Sequence, residues 1–200
     1  EQANGTYTFV MPASDATVEA VFQIRLAFTD VPSGSYYEDA VLWAVGEGIT
    51  TGISAHAFAP NGSCTRAQAV TFLWRAAGSP APVSAKTRFA DVAASSYYSD
   101  AVLWAVENGI TNGTSDTTFS PDAVCTRAQI VAFLWRAKGR PAAGSGTRFA
   151  DVAETAYYAD AVLWAVKEGV TLGTSASAFS PDETCTRAQI VTFLWRTLAK

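Results

Sequence analysis

The chain has a single histidine in 200 residues and no basic surplus, since 14 Lys and Arg stand against 18 Asp and Glu for a formal charge of −4. A balance of that sign argues against bulk electrostatic attraction of nucleic acid or anionic lipid, so any anionic partner has to be held at discrete cationic sites. No apolar run approaches the roughly 18 to 20 residues that a bilayer crossing requires. The first residues carry no initiator Met, charged n-region or signal-type apolar stretch, so the chain is expected to be a piece of a longer protein. Three cysteines are an odd number, without the C-x-x-C spacing of a zinc site, and they read neither as a disulfide framework nor as a metal centre. No Ser-His-Asp set, metal constellation or phosphate loop recurs, and His56 has no counterpart elsewhere, which points away from an enzyme and from any cofactor. What the chain does have is core material: 49% of its residues are hydrophobic and 12% aromatic, enough for a folded protein.

That material is arranged three times over. Cys-Thr-Arg-Ala-Gln begins at Cys64, Cys125 and Cys185, and Trp43, Trp104 and Trp164 and then Trp74, Trp135 and Trp195 recur at the same interval, so whole units are repeated. The boundaries fall at 26–79, 80–140 and 141–200. Residues 1–25 stand outside, and their strand-like alternation around Thr6 to Val10 and Thr17 to Phe22 predicts a short β-hairpin, the tail of an upstream β-rich module. In each unit a first helix is expected from about Tyr36, Tyr97 or Tyr157, ending at Gly48, Gly109 or Gly169 as the left-handed C′ residue. A polar loop follows, clearest from Thr111 to Asp122. The second helix opens with a capping box, Thr65 with Gln68 in the first unit, and the first two copies stop at Gly78 and Gly139 ahead of Pro80 and Pro141. Its polar stripe is only Gln68, Thr71 and Arg75, so it must be covered on nearly all sides. A unit of about 50 residues cannot supply that cover alone, which predicts that the second helices gather at a shared centre.

Phe-x-Asp-Val at Phe28, Phe89 and Phe149, the Asn108 to Gly113 helix end, the Thr118 to Asp122 loop and Thr-Arg-Ala-Gln together resemble the S-layer homology domain, in all three copies. The resemblance implies a mainly α fold of three helix-loop-helix repeats packed as a pseudo-threefold unit. It implies a non-catalytic module of a secreted bacterial protein, binding an anionic, in some cases pyruvylated, secondary cell-wall polysaccharide in clefts between repeats. The alternative is an assembly module that self-associates in a surface layer. Carried over by motif, the family's ligand-binding arginine falls on Arg66, Arg127 and Arg187, while Gln68, Gln129 and Gln189 replace the family's glutamate and Cys replaces an aliphatic residue before Thr.

The residues themselves support this reading. Arginine in the first turn of a helix opposes the partial positive charge of the free amides, and an anion could use both together. A pairing of each arginine with the aspartate of Phe-x-Asp-Val is the competing explanation. Tyr36, Tyr97 and Tyr157, one of each tyrosine pair, could lie along a sugar ring. The tryptophans read as core, and the cysteines, one residue before the cap, read as buried apolar staples against Ala69, Ile130 and Ile190. Loop divergence at Ile53, Ala59 and Asn61 predicts that the first unit, with Arg66, is the weakest site.

Overall fold

The computed structural model describes residues 10, 13, 15, 17, 27–145 and 149–199. The expected β-hairpin lies outside the described residues. Among those described the regular structure is six α-helices: α1 Glu38–Gly46, α2 Arg66–Ala76, α3 Ser99–Glu107, α4 Arg127–Ala137, α5 Ala159–Lys167 and α6 Arg187–Leu198.

The first helices begin after the tyrosine pair and not within it: Tyr37, Tyr98 and Tyr158 are the cap residues and make no side-chain cap hydrogen bond. Asp39, Asp100 and Asp160 in their first turns favour that end electrostatically. Each stops where the glycine takes a positive φ: Gly48 N–H bonds Val45 O at 3.0 Å and Ile49 N–H bonds Ala44 O at 2.8 Å, a Schellman pair that turns Ile49 back into the core. The second helices carry complete capping boxes. In α2, Gln68 N–H donates to Thr65 Oγ1 at 3.3 Å and Thr65 N–H donates to Gln68 Oε1 at 3.2 Å, and the same pair opens α4 and α6.

The two helices of one unit do not pack on each other among the described residues. Instead α3 packs on α2, α5 on α4 and α1 on α6, while α2, α4 and α6 meet one another in the middle. Every first helix therefore covers a second helix belonging to a different unit, and the third unit closes back on the first. The apolar circumference of the second helices explains this: Ala69, Val70, Phe72 and Leu73, with their counterparts, are buried from several directions at once.

The closure is tightest just before the second helices. Cys125 N–H donates to Cys64 O at 2.8 Å, Cys185 N–H to Cys125 O at 2.9 Å, and Cys64 N–H to Cys185 O at 3.0 Å. This ring of backbone bonds ties all three units through the cysteines, whose thiols are free and buried. Burial pushes the Cys125 and Cys185 thiols up to about 12 and Cys64 higher still. Each cysteine and its N4 partner, Ala69, Ile130 or Ile190, are buried in the same core, the arrangement of a staple. Among the described residues no group of three or more His, Cys, Asp or Glu is placed to hold a metal ion.

Candidate functional site

The site begins with the aspartate of Phe-x-Asp-Val. Asp30 accepts from Phe58 N–H at 2.9 Å and Ala59 N–H at 2.7 Å; Asp91 does the same for Phe119 and Ser120, and Asp151 for Phe179 and Ser180. For Asp30 and Asp151 burial raises the pKa, but these backbone bonds outweigh it and hold both carboxyls below the usual range. The aspartates spend these hydrogen bonds on the loop and act on the arginines through charge, Asp30 with Arg187, Asp91 with Arg66 and Asp151 with Arg127. The clamp fixes Ala59, Ser120 and Ser180 in the left-handed region at φ of 57°, 59° and 57°, and fixes the phenylalanine carbonyl before them. Gly113 makes the same loop tight, since a Cβ there would lie 2.5 Å from the Phe89 ring and 2.6 Å from Thr118 O.

The phenylalanine carbonyl is what each arginine of the second helix finds, and it finds it in another unit. Arg66 Nε donates to Phe119 O at 2.8 Å, Arg127 Nε to Phe179 O at 2.9 Å and Arg187 Nε to Phe58 O at 2.8 Å. Each guanidinium also stacks on two rings of that unit: Arg66 lies 4.8 Å from the Phe119 centroid and 5.5 Å from that of Phe133, and Arg127 and Arg187 are set likewise. The three are only 3–4% exposed. Burial draws their pKa downward, but a guanidinium stays charged.

The helix-end part of the anion argument does not survive. The first two amides of each second helix are taken by the neighbouring loop, Arg66 N–H by Ala123 O and Ala67 N–H by Pro121 O, both at 2.9 Å, and the third is taken by the threonine cap. Equivalent bonds occupy the starts of α4 and α6. The positive charge at each second-helix start is therefore that of the guanidinium and not of the helix end. Its outer nitrogen is where capacity remains: Arg66 Nη2 has only Thr111 Oγ1 at 3.4 Å, and the buried Nη2 atoms of Arg127 and Arg187 have no hydrogen-bond partner among the described residues.

Above Arg66 opens a cleft of about 350 Å³, lined by the Thr111 to Thr114 loop, Gln129, Phe133, Arg136 and Tyr157, with no carboxylate in its walls. Its polar residues come from all three units. The candidates thus group across units, Arg66 with Gln129 and Tyr157, and not as Arg66, Gln68 and Tyr36 within one. The charge of Arg127 bears on the Tyr36 phenol and that of Arg187 on Tyr97, so the other two arginines follow the same rotation. Burial, first of all, raises the pKa of Tyr36, Tyr97 and Tyr157, although the rings are 58–62% exposed. Trp43 and Trp104 pack against the core and Trp164 lies within it, as expected of core residues.

Sequence reasoning missed Arg136. It donates from Nη1 to Ile110 O at 3.0 Å, lies 6.0 Å from the Tyr157 ring and walls the cleft. The signal was present, because Arg75, Arg136 and Arg196 close the Leu-Trp-Arg motif in every copy, and each caps the equivalent carbonyl.

Three helix-loop-helix units joined through clamped loops and ringed arginines define a tandem-repeat module with clefts at its unit junctions. The S-layer homology domain family matches residues 27–70, 88–131 and 148–191, and the chain belongs to that family. It is 28% identical over 200 residues to an S-layer protein of Bacillus thuringiensis subsp. finitimus, covering 96% of this chain and 24% of that protein. Against a surface-layer 125 kDa protein of Lysinibacillus sphaericus it is 31% identical over 167 residues, covering 82% of the chain and 14% of the relative. An endoglucanase of Bacillus sp. (strain KSM-635) is 33% identical over 102 residues, covering 51% of the chain and 11% of the enzyme. The chain spans about a quarter or less of the length of these relatives. The family and the surface proteins that share it place the chain in a secreted protein at the bacterial cell wall or surface, where the repeats serve as an anchoring module.

Proposed function

We propose that the three repeats hold their protein to the wall without covalent attachment, by binding an anionic cell-wall polysaccharide in the clefts between units. The observation that carries this reading is the buried guanidinium of Arg66 at the base of a carboxylate-free cleft, its equivalents Arg127 and Arg187 each keeping a buried Nη2 without a hydrogen-bond partner among the described residues. A carboxylate or phosphate oxygen satisfies that nitrogen and offsets the cost of burying the charge. Tyr157 and its counterparts present an exposed ring to the sugar, and Gln129, whose Oε1 is committed to the cap, has its amide N–H groups left to donate. Gln in place of the family's Glu keeps the helix cap and adds no carboxylate to the cleft, which suits an anionic ligand. The residues assigned to binding are Arg66, Arg127 and Arg187 with Gln68, Gln129 and Gln189 and with Tyr36, Tyr97 and Tyr157.

The test is retention on protein-free wall sacculi, untreated, stripped of secondary polysaccharide, and treated with mild acid to remove ketal-linked pyruvate. Loss on stripping is expected. Loss on mild acid alone identifies carboxylate as the anion, whereas loss only on stripping points to another anionic group of the polymer. Retention unchanged by stripping would overturn the reading in favour of another wall polymer, and no retention on untreated sacculi would overturn it in favour of assembly between protein chains.

A further inference from the structure

The junction between the first two units differs from the one at which Arg187 meets the loop of the first unit, in a way that bears on how much charge its ligand carries. Four successive residues, Gly109 to Asn112, each engage a different arginine. Arg140 Nη2 donates to Gly109 O at 2.9 Å, Arg136 Nη1 to Ile110 O at 3.0 Å, Arg66 Nη2 to Thr111 Oγ1 at 3.4 Å, and Arg88 Nη2 to Asn112 O at 2.8 Å. Arg66 forms the floor of the cleft and Arg136 its wall, while Arg88 and Arg140 are exposed beside it. The strip of the first unit lacks this: Ala27 stands where Arg88 does and Ser79 where Arg140 does, although Arg75 caps Ile49 O as Arg136 caps Ile110 O.

Four like charges gathered on one short strip repel each other, and Arg140 indeed adds to the downward pull on Arg136, behind burial. Each guanidinium has five N–H groups and these carbonyl bonds use few of them, so donors remain along the strip. Four residues span at most about 14 Å, room for more than one anionic group along the strip. Taking the glycan reading as its basis, we infer that the Arg66 junction binds a stretch of glycan bearing two negative groups, one on Arg66 and Arg136 in the cleft and a second on the exposed Arg88 or Arg140 at its edge.

The experiment is calorimetry on the full chain with two probes, a monosaccharide carrying one pyruvate ketal and a disaccharide carrying two, at low and at 0.5 M KCl as a roughly fourfold-shorter screening regime than 0.03 M. The disaccharide should bind about tenfold more tightly at low salt, a difference of about 1.4 kcal/mol, and lose most of that preference at high salt. The double variant Arg88→Ala/Arg140→Ser, which gives this junction the residues of the first unit, should bring the ratio of the two affinities close to one. Arg88→Lys/Arg140→Lys should keep most of it. Equal binding of the two probes by the unaltered chain, or a preference that survives the Ala/Ser variant, overturns the inference and leaves the glycan reading standing. Failure of the unaltered chain to bind either probe overturns both.

Discussion

Arg66, Arg127 and Arg187 have two tasks at once. Their position in a first helical turn implies that alanine there would be nearly neutral for stability, since it removes a charge from the wrong helix end. The structure changes that expectation, because the guanidinium is wedged between two phenylalanine rings of another unit and bonded to its backbone. Arg127→Ala should lose a charge-assisted hydrogen bond, about 1.5 to 3 kcal/mol, as well as glycan retention. Arg66→Ala should lose somewhat more, because its contact with Thr111 Oγ1 goes too. Urea unfolding measures both, and an Arg127→Ala chain as stable as the parent would show that burial of the charge cancels its contacts. The cysteines give a second test. Their folded pKa stands above the ordinary 9.0, so their contribution is complete below pH 9 and is lost as pH rises toward about 12. Stability should fall across that window, and less steeply when Cys64, Cys125 and Cys185 are all replaced by Val. Thiol reagents should reach the parent only after unfolding.

At the scale of the element, caps and ends were readable because they are local. Thr65 and Gln68 are three residues apart, and Gly48 stops α1 through bonds that reach back no further than Ala44. The long-range half was not readable. Asp30 looks like a turn residue in sequence, yet its bonds close a loop 28 and 29 residues away, and the helix-start amides that seemed open to an anion are filled by carbonyls of another unit. Equivalence between copies says which residues correspond; it does not say which copies meet, and so Arg66 could not be matched with Gln129 and Tyr157. Asp151→Ala should cost about 2 kcal/mol or more by removing an ionised acceptor from two amides, and should loosen Phe179 O beneath Arg127. Since the folded carboxyl titrates below its usual range, its share of stability is present at neutral pH and lost as pH falls through that lowered value. The thermal midpoint of Asp151→Ala at pH 3 to 7, set against that of the parent, checks both.

For the molecule as a whole, the junctions and not the units are the functional parts. Divergence in the first unit's loop, with Ile53 exposed where Thr114 bonds Ser120 at 2.7 Å, therefore falls on the arginine that reaches that loop, which is Arg187. The weakest cleft should be the one floored by Arg187, in place of the Arg66 cleft expected from the sequence. Calorimetry with the single-ketal sugar should find a smaller loss for Arg187→Gln than for Arg66→Gln. Because every first helix is covered by another unit, removal of residues 149–200 should expose α1 and α4 together and abolish the single cooperative unfolding transition, which circular dichroism would show. The backbone ring at Cys64, Cys125 and Cys185 has a further consequence in symmetry. Each unit presents a second-helix arginine on one side and an acceptor loop on the other, a head-to-tail interface whose rotation closes after three steps. The connectors at 79–88 and 140–148 join partners that already recognise one another. A free peptide of residues 80–140 carries both halves of that interface, Arg127 as well as Phe119 and Phe133, so it should assemble into a cyclic homotrimer, the form a single-unit gene could have used before it was duplicated.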